Sequence, residues 1–348
     1  MTVTEQSGPA AGDAERRAAI ARAGRLRAAG REVRITTVWV RTAWWLVQAL
    51  CAAAGVGASV VSVAHPIIGA AVAGGALLIA LTDLPPLALA RRLTFARATE
   101  NVVAAPPDRA GERPVVLVLT ASGDLPRRGL RQRLPGGVLR WSIGGLALVT
   151  ACCGGRIGGV DGTWIGLLQL VPTLALLAAL LALLDEAVAD VQPGDTAVEA
   201  ILLAARELDA DPPTQIDVAI LLAGAGDRQA AGLRAWLAAR RARGLTPADA
   251  AIVHVERGSG QPLELGGWER GGLLLGGRLH PQLITAARQA AGREPALRAV
   301  RAAGRTQGPA AQACSAGWPV IAVKAGDGAE TSAFLVALAR ELDDLVKR

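Results

Sequence analysis

The chain has 348 residues, a formal net charge of +7 and a pI of about 10.4. Apolar residues make up 51% of it, and its mean hydropathy of +0.35 is high for a soluble domain and typical of a membrane protein. The four cysteines have the spacing of neither a disulfide framework nor a zinc ribbon, which excludes both of these small-domain classes.

The first 36 residues are polar and rich in arginine. Because the first apolar run comes only after Arg34, the sequence predicts no signal peptide. We expect residues 1–36 to form a basic cytoplasmic tail, with an amphipathic helix on anionic lipid as the alternative. Nucleic acid is not an expected partner, because no aromatic residue alternates with these arginines. They are Arg16, Arg17, Arg22, Arg25, Arg27, Arg31 and Arg34.

Four apolar stretches predict transmembrane helices, since about 20 residues cross a bilayer. They lie at residues 43–63, 67–90, 138–153 and 163–184. We expect two hairpins, over residues 37–91 and 137–184. Arginines flank the hairpins on one side, whereas the opposite turns hold only Arg156. The positive-inside rule then predicts a multi-pass protein of the inner or plasma membrane with both termini in the cytoplasm.

Asp83 lies within the second apolar stretch, and a carboxylate inside a membrane is a candidate for function. Arg91 and Arg92 follow within about two helical turns, so we expect Asp83 at the membrane interface rather than on an ion path. A small transport unit centred on Asp83 is kept as an alternative function.

Residues 92–136 and 185–348 are predicted to form one α/β domain. Helical spacing at 196–208 is followed by a short apolar strand at 216–222 and by helical spacing again at 228–243. Other strands are predicted at 115–119 and 251–256, and other helices at 280–292 and 330–345. In layered α/β folds, the loops that follow the strands usually carry the ligands.

Five short segments resemble the co-catalytic zinc aminopeptidase family, which includes bacterial aminopeptidases and, as a non-enzymatic relative, the transferrin receptor ectodomain. The resemblance implies a three-layer αβα domain with a mixed sheet, and a two-zinc site in intact members. The segments are Asn101-Val102-Val103, GDTAVEA at 194–200, DVAILLAG at 217–224 with GLRAW at 232–236, Glu256 at a strand end, and Ala316-Gly317-Trp318-Pro319.

The positions that match the family's metal-binding and catalytic residues are largely replaced. Thr120 and Ser122 stand at the family's His-x-Asp pair, and neither hydroxyl is a normal zinc ligand. Gly226 stands at the place of the catalytic base, and Ala310 at the place of the last histidine. The resemblance therefore implies a degenerate site without catalytic residues.

Asp195, Asp227, His254 and Glu256 are the remaining candidates for metal ligands. Asp195 and Asp227 each precede a helix, so helix capping is the alternative role of both carboxylates. His254 and Glu256 point to one face of a strand, where they would hold a single metal ion or form a buried hydrogen bond. No cofactor is expected unless these residues bind zinc.

Together these patterns predict an integral membrane protein whose zinc-aminopeptidase-like domain has lost its metal site and acts as a binding or scaffold module. The expected partners are the lipid bilayer and a peptide or protein held at the loop edge of the sheet. The alternative is an active membrane-bound metallopeptidase or hydrolase with a rebuilt site.

Overall fold

Two units make up the chain in the computed structural model. The sheet unit comprises Met1–Val40, Arg97–Pro126 and Pro193–Arg348, and the helical unit comprises Arg41–Ala96 and Arg127–Gln192. The structure describes residues 10–84, 87, 89–106, 115–125, 129–130, 134, 137–160, 162–188, 195–226, 230–258, 263–270, 276–278, 280–293, 301–306 and 309–347.

Helices and strands alternate along the described residues. The helices are α1 (Asp13–Ala28), α2 (Trp44–Val61), α3 (Pro66–Thr82), α4 (Val138–Ile157), α5 (Thr163–Val188), α6 (Thr196–Ala210), α7 (Ala231–Arg241), α8 (Pro281–Arg293), α9 (Pro309–Ser315) and α10 (Gly328–Lys347). The strands are β1 (Val33–Val40), β2 (Arg97–Ala104), β3 (Val115–Ser122), β4 (Ile216–Ala223), β5 (Ala250–Glu256), β6 (Glu264–Arg270), β7 (Gly276–Arg278), β8 (Arg301–Thr306) and β9 (Val320–Lys324).

The strands form one mixed sheet at the centre of the sheet unit. Its order is β1-β2-β4-β3-β5-β9-β6-β7, and β8 pairs with β6. The inner strands β4, β3, β5 and β9 are parallel, whereas β2 is antiparallel to β4 and β1 is antiparallel to β2. This mixed arrangement agrees with the fold expected from the resemblance.

Helices cover both faces of the sheet. Alternate residues of a strand point to opposite faces, so the apolar run of β3 is buried on both sides. Leu117 and Leu119 pack in a core with α1, α6, α8 and α10, whereas Val118 packs on the other face with α7 and α9. The prediction of three αβα layers is therefore confirmed.

Residues before Val40 belong to this sheet unit, which differs from the separate basic tail predicted at 1–36. β1 pairs with β2 along its whole length, from Val33 opposite Ala104 to Val40 opposite Arg97. In the segment before β1, Arg31 pairs with Asp209 (2.7 Å) and is almost fully buried. The arginines here neutralise carboxylates of the sheet unit, which is why an Arg-rich segment folds into it.

The helical unit consists of α2, α3, α4 and α5. Three stretches in the described residues are long and apolar enough to cross a membrane, namely Trp44–Val61, Val138–Ile157 and Thr163–Asp185. α3 has 17 residues and ends at Thr82, so it is shorter than the stretch predicted at 67–90. Many leucines of α5, such as Leu167, Leu174 and Leu181, face outwards.

Asp83, the residue after α3, is fully buried and pairs with Arg91 (3.0 Å). Its Oδ1 atom also accepts a hydrogen bond from the backbone N–H of Arg91 (2.8 Å). The carboxylate therefore closes the chain reversal after α3.

Candidate functional site

The carboxyl ends of β3, β4 and β5 meet at one edge of the sheet, the usual position of ligand sites in α/β folds. Ser122 of β3 is opposite Ala223, the last residue of β4, and Ala121 is opposite Val255 of β5. We call this edge of the sheet the carboxyl edge. It brings together four of the site positions predicted from the sequence, namely Thr120, Ser122, Gly226 and Glu256.

Asp195 is held between two arginines at this edge. Its Oδ2 atom accepts a hydrogen bond from Arg22 of α1, and its Oδ1 atom accepts one from Nη2 of Arg257 (3.3 Å). Only 3% of the Arg22 side chain is exposed, and its Nη1 atom also donates to the Gly123 carbonyl (2.9 Å). One buried guanidinium therefore links the loop after β3 to the start of α6.

The expected capping role of Asp195 is not observed. Asp195 occupies the N-cap position of α6, but its side chain makes no capping hydrogen bond. Its carboxylate points to the two guanidinium groups instead, because two full positive charges attract it more strongly than the partial charge of a backbone N–H group.

Side chains also hold the loop after β4 in place. The N–H of Gly224 donates to Oδ1 of Asn101 (2.9 Å), and the N–H of Gly226 donates to Oδ1 of Asp124 (2.7 Å). Asn101 in turn donates to the Gly232 carbonyl at the start of α7 (2.8 Å). The first residue of the Asn-Val-Val segment thus fixes this loop to the next helix.

Glu15 of α1 supports the same loop from a buried position. Its Oε1 atom accepts hydrogen bonds from the Thr99 hydroxyl (2.7 Å) and the Ala225 N–H (3.3 Å). Burial raises the pKa of Glu15, and these hydrogen bonds oppose that effect by favouring the carboxylate. The N–H groups of Gly224, Ala225 and Gly226 therefore already donate hydrogen bonds to side chains of the same chain.

Gly226 lies directly against the end of β3. A Cβ atom built at Gly226 would lie 2.6 Å from Oγ of Ser122 and 2.9 Å from its Cα, distances at which an atom has to move. In this conformation no side chain fits at the position that matches the family's catalytic base.

His254 and Thr120 are register partners on β5 and β3, and their side chains are buried on the same face of the sheet. Neither Nδ1 of His254 nor Oγ1 of Thr120 has a hydrogen-bond partner. The buried His–Glu hydrogen bond expected as one alternative is therefore not made by this nitrogen. Burial lowers the pKa of His254 to about 4, so the imidazole is neutral near pH 7.

The donor groups at the carboxyl edge do not fit a pair of zinc ions. Both carboxylate oxygens of Asp195 bind arginine, Thr120 supplies only a hydroxyl, and Ala310 is a buried core residue. Asp227 lies outside the described residues. Among the residues described, no group of three or more His, Cys, Asp and Glu side chains could hold a metal ion.

Arg22, Arg257, Asp124 and Glu15 were not predicted as site residues. One signal was present, because Glu15 and Arg22 are seven residues apart and share a helix face with buried alanines. A charged residue on an apolar helix face needs a buried partner. Nothing in the local pattern identifies that partner, since Asp195 is 173 residues away from Arg22.

Comparison with known proteins supports the fold. The sheet, its helical layers and the position of the carboxyl edge are those of an aminopeptidase-like α/β fold. A solved glutaminyl cyclase from Fimbriiglobus ruber has a TM-score of 0.50 at 10% identity, covering 97% of this chain and 90% of that one.

Two further solved structures are similar. They are a Porphyromonas gingivalis glutaminyl cyclase (TM-score 0.47, 12% identity, 97% and 92% covered) and a Bacillus subtilis zinc aminopeptidase (0.47, 10%, 97% and 91%). No protein-family model and no curated protein match the chain. At these identities the similarity concerns the fold alone.

Proposed function

We propose that the chain is an integral membrane protein of the inner or plasma membrane whose aminopeptidase-like domain is a non-catalytic binding module. Its apolar helices and their outward-facing leucines support the membrane location. The arginines flanking the predicted hairpins support cytoplasmic termini, because positive charge is retained on that side.

The observation that carries the non-catalytic function is the pairing of Asp195 with Arg22 and Arg257. A zinc ligand has to offer its oxygen lone pairs to the metal, and here both oxygens already accept hydrogen bonds from guanidinium groups. Two positive charges beside the carboxylate also oppose the approach of a divalent cation. The start of α6 is thereby held by salt bridges in place of metal coordination.

A peptide or partner protein is the ligand that we assign to the carboxyl edge. Asn101, Asp124 and Glu15 hold residues 224–226, directly after β4, by their backbone N–H groups, so this part of the edge is ordered before a ligand arrives. Pre-ordered loops lose less conformational entropy on binding and suit recognition without chemistry.

Metal analysis of the full-length protein in detergent tests the lost metal site. We expect near-zero zinc, manganese and cobalt after incubation with each metal and desalting, and no peptide hydrolysis that a chelator abolishes. One or two bound equivalents, lost in both Asp195→Ala and Glu256→Ala together with chelator-sensitive hydrolysis, would establish the metallopeptidase alternative.

Site-specific photo-crosslinking tests the binding role. A crosslinker at Ser122, which is partly exposed at the carboxyl edge, should capture a peptide or protein in the membrane fraction. The matched control is a crosslinker at Arg340, which binds Asp211 at the opposite end of α6 from Asp195, and it should not capture the same species. Equal capture at both positions would contradict binding at the carboxyl edge.

A further inference from the structure

A buried polar network joins α2 and α5 in the helical unit. Nε2 of Gln169 donates to the carbonyl of Ser59 (2.9 Å), to its Oγ (2.9 Å) and to Oγ of Ser62 (2.7 Å). Gln169 is 3% exposed and Ser62 is fully buried. Because these acceptors engage the amide nitrogen, the side-chain oxygen of Gln169 has to point the other way.

That oxygen accepts a hydrogen bond from Arg156, the penultimate residue of α4. Nε of Arg156 donates to Oε1 of Gln169 (3.0 Å), so the network fixes the guanidinium group through one of its three nitrogens. Nη2 of Arg156 passes close to Gly166 of α5, where even an added Cβ atom would lie 3.8 Å away. The missing side chain at Gly166 leaves space beside the guanidinium.

Arg156 carries a charge that nothing in the described part of the helical unit neutralises. Its one hydrogen bond goes to the neutral amide of Gln169. Asp161, which lies between α4 and α5 in sequence, is outside the described residues. By contrast, Asp83 and Arg91 near the other end of the bundle neutralise each other. A charge that is positioned but not compensated in a membrane bundle indicates a site for an external partner.

We propose that Arg156 binds the phosphate group of a phospholipid at the α4–α5 turn. Ile157 and Trp164 on either side of this turn are exposed, as expected of residues at the membrane interface. Guanidinium forms paired, charge-assisted hydrogen bonds to phosphate, and the Nη groups are available for them. The site rests on the membrane location proposed above, and it is independent of the carboxyl edge.

The Gln169 network distinguishes this site from an arginine that only extends towards water. An arginine that merely extends its charge to the interface would not need Nε to be fixed. Here Ser59 and Ser62 orient Gln169, and Gln169 orients Arg156. Replacement of the neutral amide by a carboxylate would therefore supply an internal counter-ion and displace the phosphate, with little change in shape.

The test measures phospholipid retained by the full-length protein after purification in detergent, by native mass spectrometry and phosphorus assay. Wild type and the control Arg140→Gln should retain phospholipid. Arg156→Gln and Gln169→Glu should lose it about tenfold, the value of one charge-assisted hydrogen bond. Arg156→Lys should retain an intermediate amount, because lysine keeps the charge but not the planar fork.

Equal retention by wild type, Arg156→Gln and Gln169→Glu would overturn the proposal. If Gln169→Glu alone fails to fold, Arg156→Gln and Arg156→Lys decide the outcome. A separate titration of delipidated protein with inorganic phosphate distinguishes the two sources of phosphate. Stabilisation that depends on Arg156 at millimolar free phosphate would assign the site to a soluble anion and refute the lipid.

Discussion

His254 gives the most quantitative prediction, because its environment makes stability depend on pH. Burial lowers its folded-state pKa from 6.5 to about 4, so protons bind preferentially to the unfolded chain below pH 6.5. Stability is fully present above the unfolded value and is lost as pH falls towards the folded value. The expected loss is about 2 kcal/mol at pH 5 and about 3 kcal/mol at pH 4.

The assay is denaturant unfolding of the detergent-solubilised protein, followed by tryptophan fluorescence at several pH values. His254→Leu removes the titrating group. On acidification this variant should lose less stability than wild type, by about 2 kcal/mol at pH 5 and about 3 kcal/mol at pH 4. His65→Leu is the control, because His65 is exposed in a turn of the helical unit. The reasoning would be refuted if wild type and His254→Leu lost stability equally, since His254 would then have a partner that accommodates its charge.

Three other substitutions test packing and charge. Asp195→Asn should cost about 3 kcal/mol in unfolding experiments by removing the carboxylate charge that buried Arg22 binds, and adding Arg22→Met should recover part of that loss. Gly226→Ala should cost about 1–3 kcal/mol, whereas Gly24→Ala, with nothing within 4 Å, should cost nothing. Asp83→Asn should lower thermal stability, by about 2 kcal/mol, without changing ion flux into vesicles. A selective loss of flux would instead support the transport alternative.

Apolar periodicity made the inner elements of the sheet unit predictable. The strand predicted at 216–222 is observed as β4, and the helix predicted at 196–208 is observed as α6. α6 buries apolar residues at helical spacing, and β4 buries a nearly continuous apolar run, because each packs against the core. Predictions succeed where burial alone decides the local structure.

The outer strands could not be predicted in the same way. β6, β7 and β8 contain glycine pairs or alanine and arginine, and these residues have low strand propensity. The residues of β1 were divided between the predicted basic tail (1–36) and the first predicted hairpin (37–91). Its pairing with β2 lies across an insertion of more than 50 residues, so no local pattern shows it. Tertiary pairing, rather than propensity, fixes these strands.

The carboxyl edge was predicted only in part for a related reason. Thr120, Ser122 and Gly226 could be named from the sequence by comparison with the family's motifs. The pairing of Asp195 with Arg22 and Arg257 could not, because these contacts join segments distant in sequence. Local patterns do not identify ion pairs between distant segments.

The strand order also determines when this chain can complete its fold during synthesis. β4 joins β2 to β3 in the sheet, yet it leaves the ribosome only after both apolar hairpins have been made. β1 therefore waits unpaired while α2 and α3 emerge, and β2 and β3 wait without β4 while α4 and α5 emerge. Exposed strand edges promote aggregation. For the membrane protein proposed above, targeting has to begin before the sheet can close, so a delay at that step should expose the nascent chain to chaperones and proteases.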